Sequence, residues 1–141
     1  MIKTDIHGDI GIISVDRPPV NAINPELVSS LTESLDSFNN NVSINGVILE
    51  GRSGIFSAGL DITHLFPKDR EYIKTFWESF SSLLNKMFTY EKPLYSSIGG
   101  HCPAGGTVMV IMTDYRIMAN GKSVSYTHLR AHETREDGVS R

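Results

Sequence analysis

Residues Leu94 to Met118 read LYSSIGGHCPAGGTVMVIMTDYRIM, and the order of their punctuation decides the fold class. Leu94 to Ile98 is a short, mostly apolar run closed by Gly99 and Gly100, which reads as a strand. Gly99 to Pro103 has turn chemistry, Ala104 to Met112 suits a buried helix, and Asp114 to Met118 reads as a further strand. Strand, turn, helix and strand in that order predict a layered α/β domain. Pro93 to Thr113 contains no Asp, Glu, Lys or Arg, and length alone would let it cross a membrane. Its prolines, paired glycines, Ser96, Ser97 and His101 argue against that, and no membrane partner is expected.

The same alternation runs upstream. Ile10 to Val15 is β-branched and stopped by Arg17-Pro18-Pro19, so it predicts a strand. Asn24 can cap a helix that Pro25 and Glu26 open well, and Leu27, Val28, Leu31, Leu35 and Phe38 recur at helical spacing up to Asn39-Asn40-Asn41. Gly46 to Gly51 has the shape of a strand buried on both faces. A longer helix is expected from about Lys68 to Tyr90, with Ile73, Phe76, Trp77, Phe80, Leu83, Leu84, Met87 and Phe88 forming an apolar core stripe. No internal repeat is visible in the sequence.

Composition narrows the function classes. The chain has 141 residues, 40% hydrophobic and 21% charged, with net charge -3, which is one domain of ordinary composition. Thirteen Lys and Arg against sixteen Asp and Glu make no basic field, so nucleic acid is not an expected partner. The single Cys102 rules out an internal disulfide, leaves too few soft ligands for a structural zinc site and fits a reducing compartment. The N-terminus has neither the apolar core of a signal peptide nor an Arg-rich transit peptide.

Several motifs imitate chemistry. Gly121-Lys122-Ser123 looks like the end of a phosphate loop, but Arg116 stands where that loop needs glycine. Ser57 sits in Gly54-Ile55-Phe56-Ser57-Ala58-Gly59, near a nucleophile elbow, yet Ile55 occupies an obligatory glycine position. His128 and His132 lack a third ligand in a credible frame, so no metal is expected. His101 beside Cys102 reads better as a turn than as a thiol nucleophile with its base. Two small-residue turns are more informative: Phe56-Ser57-Ala58-Gly59-Leu60-Asp61, where Asp61 can cap a short helix, and Gly99 to Gly106, which leads into a helix start with free N–H groups. One N–H from each turn, converging on a carbonyl, would stabilise an oxyanion.

Ser57-Ala58-Gly59-Leu60-Asp61, then Gly100-His101-Cys102-Pro103-Ala104-Gly105-Gly106, then Asp114-Tyr115-Arg116-Ile117 resemble the crotonase (enoyl-CoA hydratase/isomerase) superfamily. Arg17 to Ala22 and Gly46 to Leu49 extend the likeness, which covers roughly residues 3 to 124. The resemblance implies an α/β crotonase-type spiral of ββα units. It implies that the backbone N–H groups of Leu60 and Gly105 form an oxyanion hole, and that Ala58, Gly59, Leu60, Asp61, Ile62 and Gly105 bind the acyl-CoA substrate. The substrate would be a coenzyme A thioester, with no separate cofactor. Family hydratases carry a water-activating glutamate two positions after the glycine run, where this chain has Val108, so isomerisation of 3-enoyl-CoA to 2-trans-enoyl-CoA in fatty-acid β-oxidation is expected instead.

Similar isomerases place a proton-shuttling glutamate where this chain has Arg130, and Glu133 lies in a pattern that does not match. The expectation is therefore a family part over residues 1–124, incomplete at its C-terminus, and a tail over 125–141 foreign to the fold and disordered. Two alternatives stand beside the isomerase: a non-catalytic acyl-CoA-binding fragment, and another crotonase-fold thioester enzyme. The resemblance further implies a mitochondrial location and a homotrimeric parent.

Overall fold

A computed structural model describes residues 1–120. Strands β1 (Ile2–His7) and β2 (Ile10–Val15) form a hairpin, followed by α1 (Pro25–Asn40), β3 (Gly46–Glu50), β4 (Gly54–Ile55), α2 (Ile62–Leu65), α3 (Arg70–Phe88), β5 (Leu94–Ile98), β6 (Gly100–His101), α4 (Gly105–Ile111) and β7 (Tyr115–Met118). The main sheet runs β1-β2-β3-β5-β7, antiparallel at the β1–β2 hairpin and parallel thereafter. The expected α/β architecture is present. The ββα units are present too: β3-β4 leads into α2 and α3, and β5-β6 leads into α4.

Helix α1 forms as its sequence predicts. The Asn24 side chain accepts the Leu27 N–H at 2.9 Å, Pro25 opens the first turn, and Leu27, Val28, Leu31, Leu35 and Phe38 are buried. The Lys92 ammonium closes the other end, donating to the Phe38 and Asn41 carbonyls at 2.6 and 2.7 Å. Helix α3 begins at Arg70 rather than Lys68, because Asp69 is the cap that accepts the Tyr72 N–H. Its buried face is Phe76, Phe80, Leu83 and Met87. Trp77 and Phe88, counted above in the core stripe, face outward at 46% and 70% exposure, so the stripe is narrower than the run of aromatics implies.

The elements that position the site are the shortest. Two-residue strands β4 and β6 pair in parallel as a second small sheet, Gly54 opposite Gly100 and Ile55 opposite His101. That pairing sets the turn after β4 beside the turn after β6. It demands glycine at 100, where a Cβ would stand 2.0 Å from the Gly54 carbonyl carbon. At the far side, the Leu94 N–H donates to the Asp114 carboxylate and the Asp114 N–H to the Leu94 carbonyl, both at 2.8 Å, which seats β7 beside β5. Among the described residues β7 is the sheet's last strand, exposed along its whole length.

The segment Pro93–Thr113 folds as β5, β6 and α4, and no helix among the described residues is long and apolar enough to cross a membrane. The tail over 125–141 lies outside the described residues.

Gly100→Ala is expected to cost at least the roughly 1–3 kcal/mol typical of overpacking, because the methyl meets backbone and not a flexible side chain. Urea denaturation of the variant beside the unmodified chain checks this.

Candidate active site

The first turn, Phe56 to Asp61, is held against the segment between β2 and α1. Phe56 and Ser57 donate to the His101 carbonyl at 2.7 and 3.3 Å, and Ala58 donates to the Val20 carbonyl at 2.9 Å. The Ile23 N–H reaches the Gly59 carbonyl and the Asp61 N–H reaches the Ile23 carbonyl, both at 2.8 Å, so Leu60 sits in a single parallel bridge with Ile23. In such a bridge the flanking residues supply the bonds, and the N–H of the central residue points the other way. The Leu60 N–H accordingly donates to no acceptor among the described residues.

The second turn ends in an unusual cap. Ala104, at φ +49°, occupies the left-handed half of backbone space, which is strained for a residue with a Cβ, and its side chain caps nothing. Gly105 then opens α4, and its N–H also lacks an acceptor among the described residues.

The two turns touch. Gly59 has φ +93°, and a Cβ there would lie 3.0 Å from the Ala104 Cβ and 3.2 Å from the Gly105 nitrogen. A Cβ on Gly105 would lie 3.1 Å from Ile23 Cδ1 and 3.5 Å from the Gly59 Cα. The glycines are thus needed for the turns to meet each other, a tighter requirement than the access for a ligand that the sequence alone implied. Of the residues singled out from the sequence, Gly59 and Gly105 are adjacent, and Leu60 shares the contact through its side chain, 3.4 Å from that same Cβ position on Gly105. Ala58 and Ile62 flank it and are exposed, Ile62 at 67%.

The chain matches the Enoyl-CoA hydratase/isomerase family over residues 5–131. It belongs to that family. It is 33% identical over 121 residues to the mitochondrial enoyl-CoA delta isomerase 1 of Mus musculus and of Homo sapiens, covering 85% of this chain and 42% and 40% of theirs. The crystal structure of human mitochondrial delta3-delta2-enoyl-CoA isomerase superposes with TM-score 0.83 at 31% identity, over 86% of this chain and 48% of that one. An enoyl-CoA hydratase from Bacillus halodurans superposes at TM-score 0.78 and 27% identity, over 83% of this chain and 49% of that one. The chain therefore spans less than half the length of the curated isomerases it matches.

In this enoyl-CoA hydratase/isomerase chain, Asp61 is committed to structure. Burial pushes its carboxyl up, but hydrogen bonds from the Thr63 hydroxyl, the His64 N–H and Arg17, with the Arg17 charge, outweigh that and hold it below its ordinary value. The Arg17 guanidinium lies 2.8 Å from the carboxylate and also donates to the Ala22 carbonyl at 3.0 Å. Asp61 caps α2 as anticipated. Sequence reasoning missed Arg17 and Asn21 as parts of the site. Asn21 is fully buried at φ +52°; its amide donates to the Val15 and Phe56 carbonyls at 2.9 and 3.0 Å, and its side-chain oxygen accepts the Arg17 N–H at 2.7 Å. The signals for this segment were the Arg17-Pro18-Pro19 stop and the part of the family likeness that runs from Arg17 to Ala22, and neither assigned a role to these two side chains.

Two of the imitating motifs, Ser57 and His101 beside Cys102, fall away. The Ser57 hydroxyl is buried, donates to the Asn21 carbonyl at 2.7 Å and accepts the Gly59 N–H at 3.1 Å, so it is no nucleophile in waiting. Cys102 is fully buried, and burial pushes its thiol up to about 12, while His101 points outward. No cluster of three metal-ligating side chains occurs among the described residues. Gly121-Lys122-Ser123, His128, His132, Arg130 and Glu133 lie outside them. Two surface cavities, about 290 Å³ beside Lys86 and Tyr90 and about 350 Å³ beside Pro25 and Tyr72, include no residue of the two turns.

Because Asp61 titrates lower when folded than when unfolded, its stabilisation is full above its ordinary value of 3.8 and is lost as pH falls through the folded value. Arg17→Met should raise that folded value and move the acid limb of stability to higher pH. It should also cost about 2 kcal/mol near pH 7, less than a fully buried pair, because Arg17 is 25% exposed. Urea midpoints between about pH 2 and pH 7 check both effects.

Proposed function

We infer that this chain carries the charge-stabilising part of an enoyl-CoA isomerase that converts 3-enoyl-CoA to 2-trans-enoyl-CoA. The observation that carries this reading is the pair of N–H groups, Leu60 and Gly105, left without acceptors among the described residues on two turns in van der Waals contact. Donors fixed before substrate arrives need no reorganisation as charge develops, which is what an oxyanion hole requires.

In the reaction a base removes a proton from C2 of the thioester. The electron pair delocalises as a dienolate whose charge rests on the thioester oxygen, where Leu60 and Gly105 donate. Return of the proton at C4 leaves the double bond between C2 and C3. Ala58, Gly59, Asp61 and Ile62 belong to the substrate-binding turn, and coenzyme A enters as part of the substrate, with no further cofactor. Val108 on α4 cannot activate water, which favours isomerisation over hydration. The likeness to mitochondrial isomerases at 33% identity supports β-oxidation in the mitochondrion as the setting. The family resemblance implies a homotrimer as the assembly of the longer protein.

A second reading, acyl-CoA binding without turnover, is favoured by the state of Asp61. Its carboxylate is the one in the first turn, and Arg17, Thr63 and the His64 N–H occupy it, so it is not free to carry the proton. Removing an oxyanion donor typically costs about 3 kcal/mol of transition-state stabilisation, and a positioned acid/base contributes roughly 10²- to 10⁴-fold. The chain should therefore bind a CoA thioester and isomerise it poorly or not at all. Titration calorimetry with octanoyl-CoA, beside an isomerase assay with a 3-enoyl-CoA, is expected to give binding with little turnover. Absence of binding by a folded chain would count against both readings, and rapid turnover would remove the second.

A further inference from the structure

We propose that Arg17 is a positioning residue whose guanidinium charge is passed through two peptide groups to the first oxyanion donor. The inference rests on the reading that Leu60 and Gly105 hold a thioester oxygen, and it adds what stands behind the Leu60 N–H. Two peptide groups lie in line. The Ala22 carbonyl and the Ile23 N–H belong to one, and the Gly59 carbonyl and the Leu60 N–H to the other. Both links are trans and planar, so in each the N–H points away from the carbonyl. Arg17 Nη1 donates to the Ala22 carbonyl at 3.0 Å, and at the other end of that peptide group the Ile23 N–H donates to the Gly59 carbonyl at 2.8 Å. At the far end of the second peptide group stands the Leu60 N–H, without an acceptor among the described residues.

A cation at the head of such a line polarises each carbonyl in turn and makes the last N–H a stronger donor. The line passes through Ile23 and Gly59, both buried, where water does not screen it. Its head is fixed independently of the turn: the Arg17 N–H donates to the Asn21 side-chain oxygen at 2.7 Å, and the Asn21 N–H donates to the Arg17 carbonyl at 2.8 Å. The other arm of the fork, Nη2, lies 2.8 Å from the Asp61 carboxylate, one residue beyond Leu60. Arg17 thus spans the Ile23–Leu60 bridge, holding Ala22 on one side and Asp61 on the other. Asp61 is the opposing charge. Its carboxylate also accepts from the Thr63 hydroxyl at 2.8 Å and the His64 N–H at 3.0 Å, which disperse its charge and leave the guanidinium incompletely neutralised. Arg17 acts through Leu60 and not by touching the substrate.

The test separates oxyanion stabilisation from ground-state binding. Acetoacetyl-CoA enolises when its thioester oxygen is stabilised, and the enolate has its own near-ultraviolet band; butyryl-CoA reports binding alone. With the unmodified chain the enolate band is expected to appear. Arg17→Met and Asp61→Asn break the same ion pair, so a merely structural clamp predicts losses in both, whereas the proposal predicts opposite signs. In Arg17→Met the bound enolate fraction should fall about tenfold, part of the roughly 10²- to 10³-fold that a whole oxyanion donor contributes, while butyryl-CoA affinity changes less than about threefold. In Asp61→Asn, which keeps a side-chain acceptor for the His64 N–H and leaves the guanidinium without its counter-charge, the enolate fraction should rise. The double variant, with neither charge, should stay below the unmodified chain. A fall in both single variants, unchanged enolate in Arg17→Met, or recovery of the double variant to the unmodified level would overturn the proposal. No enolate band from the unmodified chain, with or without butyryl-CoA binding, would instead overturn the oxyanion reading beneath it. Nuclear magnetic resonance of the unmodified chain tests the line without any variant: as the enolate forms, the Ile23 amide proton and the Arg17 guanidinium protons should move downfield, further than with butyryl-CoA. An enolate band with both signals unmoved would overturn the proposal even if the variants fail to fold.

Discussion

Everything at the candidate site hangs from the buried carboxamide of Asn21. A side chain with no access to water must satisfy its own donors and acceptor, and here each bond it makes ties down a different piece of backbone. Its amide holds the end of β2 and the start of the first turn together, and its side-chain oxygen fixes the loop at Arg17. Its main-chain carbonyl receives Ser57. The left-handed backbone at Asn21 is what lets one residue face in these directions at once, and asparagine tolerates that conformation better than most side chains. An apolar residue of similar size would leave the Val15 and Phe56 carbonyls without the partners they have here.

From that anchor the geometry propagates outward in two steps. The β4–β6 pair carries the turn after β4 alongside the turn after β6, and the contact between Gly59 and the Ala104–Gly105 link closes the gap. Backbone strain at Ala104 sits immediately before the Gly105 N–H. Within the first turn the Ala58, Gly59 and Asp61 N–H groups are paired, whereas that of Leu60 is not, and at the start of α4 that of Gly105 is not either. Under the isomerase reading, these two donors turn the family's chemistry into an expectation about particular atoms of this chain.

Much of the fold was legible because it follows local rules. The Asn24 cap, the helical spacing of Leu27 to Phe38 and the apolar runs of β2, β3 and β5 each state their structure within a few residues. Strand β1 was not, since it is exposed along most of its length and carries no alternation to read. Strands β4 and β6 were not, since two-residue strands have no period at all. At the site, Gly59 and Gly105 announced turns, and only the family resemblance implied that they meet, because the meeting depends on pairing across the small sheet. Arg17 and Asn21 lay in the family likeness, but their bonds to Asp61 and Phe56 were not legible, because those partners are distant in sequence and no spacing rule connects them. Ser57 was conspicuous as an apparent nucleophile, whereas its hydroxyl bonds to the Asn21 carbonyl and the Gly59 N–H, because the small residues that imitate a nucleophile elbow are those a tight turn also needs.

The claim that Leu60 and Gly105 donate together to one thioester oxygen can be read from the carbonyl itself. Isotope-edited infrared spectroscopy of octanoyl-CoA labelled with ¹³C at the thioester carbon, bound to the unmodified chain, isolates that single vibration. Two convergent hydrogen bonds polarise the carbonyl and should shift its stretch clearly to lower frequency than in water. A bound thioester whose stretch stays at the aqueous frequency, or moves to higher frequency as in an apolar setting, would contradict the account.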